Sequence, residues 1–191
     1  ISGLIPRFLK ERKVDLIIAM RMGPRARELF RQDPVTVAKR LLGMELVRNF
    51  GRHEVRGRIL EVSAWEGTYG DRIKSKFNDY EPGQLSVSTK YGKHLMDITV
   101  ENGNSCITLI NAEFGFGDRL YCPGGPGNLS KALQVDPSLD GLDLATSDVL
   151  YLAGTSVDPK EILQRRKKNT PPNCRGYFYI KPSSEVVLRS P

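Results

Sequence analysis

The feature that most restricts the fold is a succession of short apolar or β-branched runs, each closed off by glycine, proline or asparagine. The runs at 44–48, 54–62, 85–89, 95–100, 106–112, 149–152, 177–180 and 186–188 have strand length, and several alternate with the two-residue period of a pleated backbone. Between them lie Asn49-Phe50-Gly51-Arg52, Pro82-Gly83 and Glu101-Asn102-Gly103-Asn104, residue types that adopt the backbone angles of tight turns. The spacing predicts hairpins, one joining 44–48 to 54–62 and a terminal one joining 177–180 to 186–188, and so a mainly antiparallel sheet. Two segments break the pattern. Asp33-Pro34 offers an N-cap and an N1 proline, and Val35, Val37, Ala38, Leu41 and Leu42 then recur at helical spacing until Gly43 stops them. Gly124-Gly125-Pro126-Gly127 precedes a second, short helix over 128–133. The expected class is α+β.

With 191 residues, 39% of them hydrophobic, the chain can bury a core of its own, and one mixed domain over 33–191 is expected. Residues 1–32 read as an appended basic helical arm, with eight basic side chains against three acidic ones. Such an arm lies along nucleic acid or follows an organellar presequence. Together with a first residue that is Ile1 rather than Met, it points to a mitochondrial location, nuclear or cytoplasmic being the alternatives. The longest uncharged apolar run, Leu16 to Met20, is far too short to cross a bilayer as a helix, so no membrane partner is expected. Cys106, Cys122 and Cys174 are odd in number and widely separated, and His53 and His94 are the sole histidines; this argues against a disulfide scaffold and against a metal site, and no cofactor is implied. The net charge of +7 favours a polyanionic partner, because basic side chains that neutralise phosphates release counterions. Arg165-Arg166-Lys167-Lys168 is the densest basic run.

Four stretches in order carry a resemblance. They are Asp33-Pro34 through Leu41-Leu42-Gly43-Met44-Glu45-Leu46-Val47-Arg48; Arg56-Gly57-Arg58-Ile59-Leu60-Glu61-Val62-Ser63-Ala64-Trp65-Glu66-Gly67; Pro82-Gly83-Gln84-Leu85 through Tyr91-Gly92; and Gly125-Pro126-Gly127-Asn128-Leu129-Ser130-Lys131-Ala132-Leu133. In this register the chain resembles the alkyladenine (3-methyladenine) DNA glycosylase family from about Phe30 to Leu152, and more loosely through Arg175 to Ser190. The resemblance implies a curved, mainly antiparallel sheet flanked by helices. It also implies an enzyme that takes a damaged nucleotide out of the duplex, fills the gap with an aromatic wedge, and uses a carboxylate to deprotonate the water that attacks the sugar.

The resemblance fails at the chemistry. The family's water-activating glutamate falls at Ser63, whose neutral hydroxyl cannot act as that base. Its pocket tyrosine falls at Ser88, its strand arginine at Ile110 or Asn111, and a neutral amide position at Asp97; the segment from Gly67 to Tyr91 has no histidine. Trp65 stands where the family has another aromatic, as a stacking face or as core. Glu61 and Asp97 are the candidate replacement bases, each with a structural alternative as a bonded or salt-bridged carboxylate. The wedge tyrosine falls at Tyr91, and Lys90, Gly92 and Lys93 complete a hairpin tip suited to sugar-phosphate, or else Tyr91 is a turn residue half-packed on the sheet. This pattern leads to the expectation of a non-catalytic glycosylase-like protein redeployed to bind structured RNA, as a subunit of an assembly such as a mitochondrial ribosome. The alternative is a working repair glycosylase for alkylated or deaminated purines in double-stranded DNA.

Overall fold

The computed structural model describes residues 23–67, 79–101, 105–116, 119–183 and 187–189. Helices α1 (Gly23–Phe30) and α2 (Pro34–Leu41) lead into β1 (Glu45–Asn49), β2 (Glu54–Trp65), β3 (Leu85–Lys90), β4 (Lys93–Val100), β5 (Ser105–Phe116) and β6 (Arg119–Cys122). Helix α3 (Pro126–Ala132), β7 (Leu150–Ala153), β8 (Leu163–Arg165), β9 (Cys174–Tyr179) and β10 (Val187–Arg189) follow. The α+β class with a mainly antiparallel sheet is as the sequence reads.

The sheet is organised by β2, twelve residues long. One edge of β2 pairs with β5 from Gly57 to Trp65. Along the other edge, β1 pairs with its first half and β9 with its second, Glu61 to Trp65. The change of partner coincides with a register shift between Ile59 and Glu61, where an extra residue bends the strand and increases its twist. The sheet curls at this point. Beyond β5 lie β4 and then β3; β6 pairs with the far end of β5, and β8 with β9.

The expected terminal hairpin is a correction. β9 pairs with β2 and β8, while β10 runs parallel to β6. Both runs have strand composition, but their partners are set by tertiary packing, which adjacent sequence does not encode. β8 is short and fully exposed, with no apolar alternation to announce it, and β6 is a four-residue, half-buried strand too short to stand out as a run.

Helix α2 begins as its cap residues predict: the Asp33 carboxylate accepts from the Thr36 N–H at 3.0 Å, and the Thr36 side chain, with smaller help from backbone N–H groups at the helix start, holds its pKa below the ordinary value. Its buried face, Val37, Ala38 and Leu41, joins Leu46, Val62, Ala64, Met96, Ile98, Ile107, Leu109 and Phe178 in the main core. Leu29 and Phe30 at the end of α1 belong to the same core, although the charge of residues 1–32 reads as solvent-facing. Gly83 and Gly57 are among the glycines that close approach requires. A Cβ at Gly83, where φ is 95°, would lie 2.5 Å from the Phe30 ring; one at Gly57 would lie 2.5 Å from the Phe114 ring.

Candidate nucleic-acid interface and base site

Strand alternation separates two faces. Val62 and Ala64 of β2, Ile107 and Leu109 of β5, and Met96 and Ile98 of β4 point into the core. Glu61, Ser63 and Trp65, with Cys106, Thr108 and Asp97, therefore share the opposite face. Pairing places Tyr177, Ser63, Thr108, Asp97 and Ser86 in one row across β9, β2, β5, β4 and β3. Ser86, rather than Ser88, shares the row with Asp97; Ser88 pairs with Leu95, nearer the hairpin tip.

The centre of the row holds no carboxylate. Ser63 is 1% exposed, and its Oγ accepts a hydrogen bond from the Trp65 indole N–H at 2.9 Å. The indole thus folds back over position 63, and its ring meets Tyr177 edge-on at 6.3 Å between centroids. The Tyr177 hydroxyl is pushed up by burial and by neighbouring Cys174. Ser63 itself offers only a neutral hydroxyl, which is not a base at neutral pH.

The two candidate bases differ in their commitments. Glu61 is nearly buried and ion-paired to Arg165 of β8, whose guanidinium also sits 5.6 Å from the Tyr179 ring centroid. Asp97 accepts from the Thr108 hydroxyl at 2.5 Å. It stands two strands from Ser63, roughly 10 Å by ordinary strand spacing. Thr108 is the residue that sequence reading missed; no motif marks it, and only the register brings it between Ser63 and Asp97. The Cys106 thiol on the same face is pushed well up, first by burial and then by the charge of Asp97.

Ile110 and Asn111, where the resemblance places the family's arginine, are both neutral. Ile110 is buried, and Asn111 Oδ1 accepts from the Gly124 N–H at 3.1 Å, tying the loop before α3 to β5. Of the stretch from Gly67 to Tyr91, where the resemblance places the family's histidine loop, residues 68–78 lie outside the described residues.

The β3–β4 turn is a two-residue hairpin formed by Tyr91 and Gly92, with φ of 52° and 71°. Both residues in the left-handed region match the twist of the flanking strands. Tyr91 is 92% exposed, the most exposed large hydrophobic side chain among the described residues. Lys90 Nζ lies 5.5 Å from its ring centroid, whereas Lys93 is turned away to donate to Asn128 Oδ1 of α3 at 3.1 Å. The other basic run is elsewhere: Arg165 ends β8, Lys167 Nζ lies 4.0 Å from the Tyr177 ring centroid, and Arg166 and Lys168 are exposed. The structure therefore brings Ser63, Trp65 and Asp97 onto one face, with Tyr91 at a projecting tip and the basic run at the β8–β9 edge.

No family-wide sequence profile matches the chain. Individual relatives do. A protein of Borreliella burgdorferi, provisionally named a 3-methyladenine DNA glycosylase, is 30% identical over 184 residues, spanning 85% of this chain and 99% of its own length. A provisionally named counterpart from Legionella pneumophila is 33% identical over 173 residues, covering 85% of this chain and 91% of its own length. The DNA-3-methyladenine glycosylase of Mus musculus is 30% identical over 164 residues, covering 69% of this chain and 48% of the mouse protein. These relatives overturn the expectation of an RNA-binding subunit of a mitochondrial ribosome. They are named for action on DNA, and the missing side chains that suggested redeployment do not by themselves select RNA. The curled sheet, the projecting Tyr91 hairpin and this agreement along nearly the whole length of bacterial relatives make the chain a divergent member of the 3-methyladenine DNA glycosylase family.

Proposed function

We propose that the protein acts on damaged double-stranded DNA, engaging the duplex with the Tyr91 hairpin and releasing an alkylated or deaminated purine slowly, with Asp97 as the carboxylate that activates water. Asp97 carries this reading. It lies in the same sheet row as Ser63, on the face away from the core, with the Thr108 hydroxyl donating to it from the strand between them. A base displaced by roughly two strands from the family's position meets the attacked carbon from a different side, so the proton transfer is less well aligned. General-base catalysis contributes about 10²–10⁴-fold when well placed, and much of that factor is missing here.

The bond from the Trp65 indole to Ser63 favours a second reading, in which the duplex is bound and the lesion is not excised. One experiment separates them. Duplex carrying hypoxanthine or ethenoadenine is incubated with excess protein, and abasic sites and bound DNA are both measured. The first reading expects slow abasic-site formation that falls at least about tenfold in Asp97→Asn with DNA affinity unchanged. Binding without product at protein excess selects the second reading, and absence of duplex binding overturns both.

A further inference from the structure

Away from the Ser63 face, the start of β8 borders a cavity of about 500 Å3 whose lining includes Arg58, Lys160, Glu161, Leu163, Lys181 and Ser183. Three separate parts of the chain supply its cations. Arg58 comes from the first half of β2, Lys160 from the short 3-10 turn Pro159–Glu161, and Lys181 from the segment after β9.

One wall is built rigidly. Glu113 of β5 is 5% exposed, yet its carboxylate is fully engaged. It accepts from Arg58 Nη1 at 2.8 Å and from the Ser183 backbone N–H at 2.8 Å, and the Ser183 hydroxyl donates to it as well. Arg58 Nη1 also reaches Ser183 Oγ at 3.2 Å. The buried carboxylate thus fixes the guanidinium plane and the backbone at Ser183, while Arg58 Nε and Nη2 have no protein acceptor among the described residues. Unused donors on a held guanidinium, with two exposed ammonium groups nearby, are the arrangement that receives a tetrahedral oxyanion.

Charge agrees with this. Glu113 is spent on Arg58 and Ser183, leaving Glu161 as the lone acidic side chain on the lining against Lys160 and Lys181. Neither lysine has an ion-pair partner among the described residues. We infer that this cavity is a phosphate-binding site, held by Arg58, Lys160 and Lys181, and separate from the Ser63 row. The phosphate comes from a DNA backbone or from a free phosphate-bearing molecule, and the inference does not depend on base excision.

The test uses the full chain and inorganic phosphate, titrated calorimetrically at constant ionic strength. Wild-type protein binds phosphate; the double variant Lys160→Ala/Lys181→Ala binds it at least about tenfold more weakly, a change of about 1.4 kcal/mol. Glu161→Gln, which removes the opposing charge, strengthens it. Both lysines are exposed, so the double variant keeps its melting temperature, and that is checked in parallel. Undamaged duplex distinguishes the sources. If a backbone phosphate occupies the cavity, the slope of log affinity against log salt becomes shallower in the double variant, by about 0.9 for each phosphate that the protein no longer neutralises. An unchanged slope together with weakened phosphate binding assigns the site to a free ligand. Absence of phosphate binding to wild type, or equal binding by the double variant, overturns the inference.

Discussion

Strands β2, β4 and β5 present two faces made from alternate residues of the same segments, and the two faces follow different rules. One carries Val62, Ala64, Met96, Ile98, Ile107 and Leu109, all fully buried and free of polar atoms beyond the Met96 thioether. Such a face needs apolar side chains of roughly the right volume, a condition many substitutions meet. The other carries Glu61, Ser63, Trp65, Asp97, Cys106 and Thr108, joined by Trp65 to Ser63 and Thr108 to Asp97 bonds and by the Glu61 to Arg165 pair. There, position and chemistry must agree atom by atom. The difference teaches that the two faces share a backbone but not the constraints on it, so a family fold can persist while the polar face varies.

The largest effect that sharpens this contrast is expected on the core face. Leu109→Ala removes a fully buried side chain at the middle of β5 and leaves a cavity between α2 and the sheet, costing about 2–5 kcal/mol of folding stability. Urea denaturation reads this as a fall in midpoint without a change in slope. On the opposite face, Ser63→Ala keeps the volume nearly constant and removes one acceptor of the Trp65 indole, a loss of about 1 kcal/mol. Equal costs for the two substitutions would break the contrast, since they would mean that the polar face holds the fold as firmly as the core does.

The same division explains what could be read from the sequence. Helix α2 was legible because Asp33, Pro34 and the spacing of Val37, Ala38 and Leu41 act locally, within one or two turns. Strands β2 to β5 were legible because one side of each is apolar. β8 was not: all three of its residues are exposed, and Arg165 looks like the start of a basic run rather than the end of a strand. Its place at the edge of β9 depends on the pairing of Leu163 with Tyr179, which no local pattern reveals. For the site, the resemblance sets Ser63 at the position where a carboxylate is expected, but it says nothing of what surrounds that position. That answer required the indole of Trp65 turned onto Ser63, and the register that sets Thr108 beside Asp97. Arg58 and Glu113 were likewise silent in sequence, since they meet only across paired strands.

A smaller effect tests whether the polar face acts as one electrostatic unit. Cys106 lies on that face, and its thiol is pushed up from the ordinary 9.0, chiefly by burial and secondly by the negative charge of Asp97. Both causes disfavour the thiolate, so the neutral thiol is the folded form, and the stability it contributes is present below the unfolded pKa and lost as pH rises through the folded one. Asp97→Asn removes the second cause and leaves the first. The thiol then titrates at lower pH than in the wild type, though still above its ordinary value, and its alkylation sets in at correspondingly lower pH, because the thiolate is the reactive form. Alkylation followed residue by residue with mass spectrometry separates Cys106 from Cys122 and Cys174. An unchanged pH profile at Cys106 would mean that Asp97 does not act on its neighbours across the face, and would count against its proposed role as the carboxylate that addresses a bound lesion.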